Sequence, residues 1–346
     1  MPRLETEISE LATALGALGH DLNAALERRP DQILNVAEAT WTRLREAHES
    51  GEHRLLFMRS WANGHAFLWA RDGLRGRLPV RVEWKGPDRQ VEQDPIPADV
   101  RIDNVFLVSV KSRSAVLWNR SPSQVFARTP MALHWYEHTA ANEYQALYAA
   151  ARTWASMTRL PERATELTRS GGVELGRQMR AREWPEPLRA HYLAMADKCS
   201  TVSANLWNAA LRTPAQRERT SWWLLRLGPA PYFLLGDSVR APLRIRVDTP
   251  WDWRQSWRFR GLEIRAAQGA GQPQVDWSIH VEDRHTGEPR SADGYVEVRW
   301  SHGRFSGHPE AKVQLRTPHE SVPGTRPLFR EGGERSLCLL ADSSSG

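Results

Sequence analysis

Lysine is nearly missing from this sequence. Four are present, at positions 85, 111, 198 and 312, and 43 of the 47 basic residues are arginine. The skew is that of a GC-rich bacterial genome. It makes each remaining lysine conspicuous, because an ammonium point charge is not interchangeable with a planar guanidinium at a reacting centre. Cysteine is scarcer still: Cys199 and Cys338 cannot build a disulfide framework or a cysteine zinc cluster. No apolar run approaches the ~18 residues of a membrane span. The polar opening Met-Pro-Arg-Leu-Glu-Thr-Glu lacks the apolar stretch of a signal peptide. A cytoplasmic protein without a membrane segment is expected. There is no G-x-x-x-x-G-K-[ST] loop, so any ATP-driven step needs a partner such as an ATPase or helicase. There is no G-x-S-x-G elbow either, and no internal repeat.

What is present fits a folded protein of two or three domains. The chain has 346 residues, 40% hydrophobic and 25% charged, with a net charge of +6. That mild basic excess is compatible with DNA or RNA without requiring it. Residues 1–50 read as helical. Leu4, Ile8, Leu11, Leu15, Leu18 and Leu22 follow the a/d spacing of a coiled-coil seam. The seam is either a homo-oligomer contact through residues 4–22 or half of a helical hairpin packed on the chain itself. A second helix is expected to carry Ile33, Leu34, Ala37, Trp41 and Leu44 and to end near Gly51.

From residue 54 the period changes. Short apolar runs bounded by glycines lead to Val80–Lys85, a half-buried alternating strand, and Val105–Lys111, an apolar central strand. Residues 51–130 form the expected α/β core. Residues 131–227 are helical again, with Pro161 and Gly171-Gly172 as breaks. In 228–322, runs around Leu243, Leu262, Trp277, Val296 and Val313 alternate as an antiparallel sandwich or barrel would. Residues 323–346 read as a loose tail. The fold class expected is therefore α+β and multidomain.

Two strand-like runs end on lysines, Glu83-Trp84-Lys85 and Ser109-Val110-Lys111, behind Asp72 and Asp103. Paired carboxylates with a lysine can bind Mg²⁺ and activate water against a phosphodiester. In one arrangement residues 72–76 and 80–85 form a hairpin, so that Asp72 and Glu83 hold the metal and Lys85 is the catalytic lysine. In a second, the 80–85 and 104–112 strands pair, and Glu83 works with Lys111. A third, Asp103 with Lys111, fails because the two lie at opposite ends of one strand.

Asp…Glu-x-Lys on a strand hairpin resembles the PD-(D/E)XK nuclease superfamily over about residues 50–130. The resemblance implies a restriction-endonuclease-like α/β/α core that cuts nucleic acid with Mg²⁺, or Mn²⁺ in its place. It makes Asp72 and Glu83 metal ligands and Lys85 catalytic, with Lys111 as the alternative. It also suggests a bacterial defence or restriction setting. Two departures stand out: no proline precedes Asp72, and Ser109 occupies the acid position of the central strand. The second favours an alternative, a catalytically silent DNA-binding or scaffold subunit of a multiprotein complex.

Two further patterns carry chemistry. Trp251, Trp253, Arg254, Trp257, Arg258 and Arg260 interleave rings and guanidinium groups as nucleic-acid binding requires; a Trp-rich packed edge is the structural reading. His134-x-x-Glu137-His138 matches an inverted zinc-protease motif that would need a third ligand from Glu143 or Glu174. His302, His308 and His319 read as turn histidines.

Overall fold

The computed structural model describes residues 4–86, 96, 98–112, 116–129, 134–181, 183–237, 242–300 and 303–329. In chain order the elements are α1 (Leu4–Ala17), α2 (Leu22–Glu27), β1 (Ile33–Leu34), α3 (Glu38–Glu49), α4 (Arg54–Trp69), β2 (Val82–Trp84), β3 (Val100–Ile102), β4 (Phe106–Ser112) and β5 (Val116–Arg120). There follow α5 (Trp135–Trp154), α6 (Arg169–Ala181), α7 (Glu186–Ala210), α8 (Pro214–Leu224), β6 (Tyr232–Asp237), β7 (Pro242–Val247) and α9 (Pro250–Ser256). The last are β8 (Trp257–Ala267), β9 (Gln274–Asp283), β10 (Pro289–Arg299), β11 (Glu310–Leu315) and β12 (Thr325–Pro327). The protein is mixed α/β. No helix among the described residues is long and apolar enough to cross a membrane.

The chain forms two compact units, neither continuous in sequence. The first gathers residues 1–114, 225–257 and 318–346, the second 115–224 and 258–317. These groupings cut across the expected divisions at 50, 130, 227 and 322.

The first unit is built on a mixed sheet of order β1-β2-β3-β4-β6-β7-β12. Strands β2, β3 and β4 form an antiparallel meander, and β6 then returns parallel to β4. The β3–β4 turn is made by Asp103 and Asn104, both with positive φ, a conformation these short polar residues tolerate. Helices α1 and α4 pack together. Their Ile8, Leu11, Leu15, Phe57, Phe67 and Leu68, with Leu18 just after α1, form one core with Val82, Trp84, Val100, Ile102, Val108, Phe233 and Leu235 of the sheet. Of the two expectations for the seam, packing on the chain itself is the one that forms, with α4 and not the next helix filling it. The two helix backbones approach closely because glycine stands at the crossing. A Cβ on Gly16 would lie 2.0 Å from the Trp61 carbonyl oxygen, and one on Gly64 1.9 Å from that of Thr13.

Three local expectations change. The first helix breaks at Gly19, whose φ is +72°, and Asp21 caps α2. Ile33 and Leu34 form β1, parallel to β2, instead of starting a helix. The glycine-bounded runs after 54 belong to one helix, α4, in which Gly64 is a crossing point and not a boundary.

The second unit contains helices α5 to α8 and an antiparallel sheet of order β5-β11-β10-β9-β8. Burial alternates along β9, β10 and β11 as the sequence pattern requires. The Leu243–Val247 run is β7 and joins the first unit's sheet, while Val116–Arg120 supplies the edge strand here. Of the tail, 325–327 pairs with β7 as β12, and 330–346 lie outside the described residues.

Candidate functional site

On β2, β3 and β4, strand alternation separates side chains that enter the helix-packed core from a second set that is polar except for Leu107. Val82 and Trp84, Val100 and Ile102, and Val108 point into the helix-packed core. Glu83, Arg101 and Leu107 pair in register across β2, β3 and β4, on the opposite face. The register extends one step further: the Lys85 amide donates to the Asp99 carbonyl, and the Asp99 amide to that of Val108. Lys85, Asp99, Ser109 and Lys111 therefore share the polar face.

Asp99 is buried. Its Oδ2 accepts the Val110 amide at 2.7 Å and the Ser109 hydroxyl at 3.2 Å. Lys111 lies one strand over and two residues along, a Cα separation of ~8 Å that a lysine side chain can bridge. Its backbone is gripped by β6. Gly236 pairs with Lys111, and a Cβ there would sit 1.8 Å from the Lys111 carbonyl oxygen. His319 is held below the ordinary imidazole range, first by burial and then by the Lys111 charge.

Glu83 is committed elsewhere. It is buried, forms an ion pair with Arg101 and accepts the Asn35 amide at 3.0 Å. Asn35 reaches it from a residue with φ +62° just after β1.

Neither expected arrangement of the site forms. Asp72 lies in the exposed turn after α4, which packs on the apolar face, and no 72–76/80–85 hairpin exists. Its charge acts on Arg326 of β12, and five strand spacings, ~24 Å, separate β12 from the β2 strand of Glu83. The pairing of 80–85 with 104–112 fails because β3 lies between them. That leaves Glu83 and Lys111 ~16 Å apart at Cα, two strands across and four residues along. Asp103 is a turn residue: it accepts the Val80 and Arg81 amides and pairs with Arg77 at 3.1 Å.

The residue the sequence reading missed is Asp99. The signal was there: it follows Pro97 by two positions and precedes Ser109-Val110-Lys111 by the spacing of a short hairpin. The carboxylates that could meet a Mg²⁺ on this face are Asp99 and, diagonally across, Glu83, which Arg101 and Asn35 already hold. No group of three His, Cys, Asp or Glu that could hold a metal occurs among the described residues. Such a set fits an ion that keeps water and substrate phosphate as most of its ligands, and does not fit a closed protein cage.

The tryptophan–arginine cluster is divided between the units. Trp251 is 70% exposed on α9, with Arg254 exposed one turn on. Trp253 is fully buried, its indole N–H donating to the Pro323 carbonyl. It is a core residue and offers no ring to a base. Trp257 is half-buried. Arg258 and Arg260 both pair with Glu282 of β9. In the zinc-like motif, His134 stands at the start of α5, 3.6 Å from Glu137, with His308 5.6 Å away ring to ring, while His138 packs against Trp135. The two motif histidines meet no third ligand among the described residues. His302 lies outside the described residues.

No family model, no curated protein and no solved structure matches this chain.

Proposed function

We propose that the chain is a nucleic-acid phosphodiesterase whose working group is Asp99, Ser109 and Lys111. The observation that carries this reading is the hydrogen-bonded alignment of Asp99 with Ser109, two residues before Lys111 on the polar face. A carboxylate and an ammonium are thereby held on rigid neighbouring strands, which is the precision a reacting centre needs. The family resemblance drawn from Glu-x-Lys is better served by Asp99 with Ser-x-Lys.

When bound at Asp99, Mg²⁺ would polarise a phosphoryl oxygen and lower the pKa of a bound water. The chain's own residues do the rest. Lys111 offsets the negative charge that builds on the phosphorane oxygens. Ser109 fixes the Asp99 carboxylate through its hydroxyl, and the Val110 amide fixes the same oxygen. Glu83 and Asn35 orient Arg101 toward the same face, where a guanidinium suits a second phosphate.

The test is cleavage of single- and double-stranded DNA and RNA with Mg²⁺ or Mn²⁺ against EDTA. Metal-dependent cutting that Asp99→Asn lowers at least about 100-fold, the size of a lost charge-stabilising contact, is the expected result. Metal-dependent cutting that Asp99→Asn leaves unchanged would sink the assignment.

A second reading, a silent binding subunit within a larger complex, is favoured by one observation. Ser109 stands where a second acid would serve a metal, and one Asp99 oxygen already accepts two donors. A parent protein that binds but never cuts, with its natural partners present, selects it.

A further inference from the structure

Helix α4 leaves one stripe partly exposed, with Trp61 resting against the core at its middle. Arg54, Met58, Trp61, His65 and Trp69 recur at spacings of four, three, four and four residues, so they share one face. Met58 is 51% and Trp69 53% exposed, and Leu55 beside them 67%. Large apolar groups on an isolated surface helix face lose solvation free energy without a covering partner.

The rings are ordered. Trp61 and His65 stack at 4.8 Å with planes 16° apart. Trp69 meets His65 edge-on at 6.4 Å, its indole N–H 3.3 Å from His65 Nε2. Trp61 is pinned from its far side by the His20 carbonyl. Gly76 closes the end of the ladder, since a Cβ there would lie 2.8 Å from the Trp69 ring. His65 is held below the ordinary imidazole range by burial and then by Arg244, so its ring is neutral near pH 7.

The charge around the stripe has one dominant sign. Arg54 lies on it, and Arg59 and Arg71 flank it; all three are exposed and have no acidic partner among the described residues. Arg75 turns back to the Arg71 carbonyl. The nearby acids are Glu52 and Asp72, beyond the two ends of the helix, and Asp237, which lines a surface pocket with Arg54 and Arg59 without forming an ion pair.

We propose that this face of α4 binds single-stranded nucleic acid, with bases stacking on the Trp61–His65–Trp69 ladder and Arg54, Arg59 and Arg71 contacting phosphates. Rings held in register beside unpaired guanidinium groups are the chemistry of sequence-tolerant strand binding. An apolar protein partner would leave three arginines without counter-charges. The inference stands on the ladder and its charges alone and does not depend on the Asp99 site.

The experiment titrates the full-length protein against fluorescent oligo(dT) in EDTA, so that cleavage plays no part. The parent is expected to bind. Trp69→Ala should weaken binding about 10-fold or more, the loss of one stacked base, and Trp69→Phe should recover most of it. Arg54→Ala with Arg71→Ala should lower the slope of log affinity against log salt by about 1.4, at about 0.7 per phosphate on a single strand. A parent that does not bind oligo(dT), or a Trp69→Ala variant that binds as well as the parent, would overturn the proposal. So would undiminished salt dependence in the double arginine variant. None of these results bears on the Asp99→Asn cleavage test.

Discussion

Single side chains decide which sequence motifs became sites. Asp72 and Asp99 are both aspartates ahead of an x-Lys strand end, and only the second is brought opposite its partner. The sequence alone could not separate them, because strand pairing is set by where the chain turns. The turn at Asp103–Asn104 puts Asp99 against Ser109; the expected turn at 77–79 does not join two strands. Glu83 fits the Glu-x-Lys pattern and alternation turns it away from the core, but a buried carboxylate seeks a counter-charge, and Arg101 and Asn35 satisfy it. Glycine was legible as punctuation and illegible as contact. Gly16→Ala or Gly64→Ala drives a methyl into a backbone carbonyl of the other helix. Each is expected to cost about 1–3 kcal/mol or more, read as a lower urea midpoint; an unchanged midpoint would mean the helices do not cross so closely. His134 supplies a pH test. Its pKa is lowered to about 4 by burial and then by His308. The unfolded chain takes up the proton near pH 6.5 while the folded one resists it. Stability is therefore full above about pH 6.5 and falls toward pH 4, by up to about 3 kcal/mol from this residue. His134→Gln should remove that part of the decline in urea melts at pH 7 and pH 4.5, and an identical decline would show that the imidazole is not the source.

At the level of elements, periodicity was legible wherever packing is local. Strands β9, β10 and β11 alternate as the sequence pattern requires, and residues 131–227 supply helices such as α5 and α7. It misled where one pattern serves two partners. The Leu4–Leu22 spacing describes a helix with an apolar seam but does not say what fills it. Here α4 does. Deleting residues 1–27 would strip Ile8, Leu11, Leu15 and Leu18 from the core, each worth about 1.5–3 kcal/mol. That rivals the whole stability of a typical domain, about 5–15 kcal/mol. The truncated protein is expected to be unfolded or insoluble by circular dichroism. A folded, soluble truncation of reduced oligomeric state would instead restore the oligomer reading. Strand β6 went unread because Tyr232–Leu235 is apolar on both faces and short apolar runs carry no periodicity to assign.

The molecule as a whole hides its organisation from a linear reading. Strand β4 ends where the second unit's first segment begins, and its parallel neighbour β6 follows only after that segment ends. A sheet assembled across such an insertion cannot be inferred from local spacing, since the pairing depends on contacts far apart in sequence. The same assembly lays Lys111 against Gly236, so the proposed working group is a product of the complete first unit and not of residues 51–130 alone. The most direct test compares nucleic-acid cleavage rates, at saturating Mg²⁺, of the parent with Asp99→Asn, Lys111→Ala and Asp72→Asn. Asp99→Asn and Lys111→Ala are each expected to lose at least about 100-fold while Asp72→Asn cuts at the parental rate. Loss of cleavage in Asp72→Asn with full activity in Asp99→Asn would contradict the proposed working group.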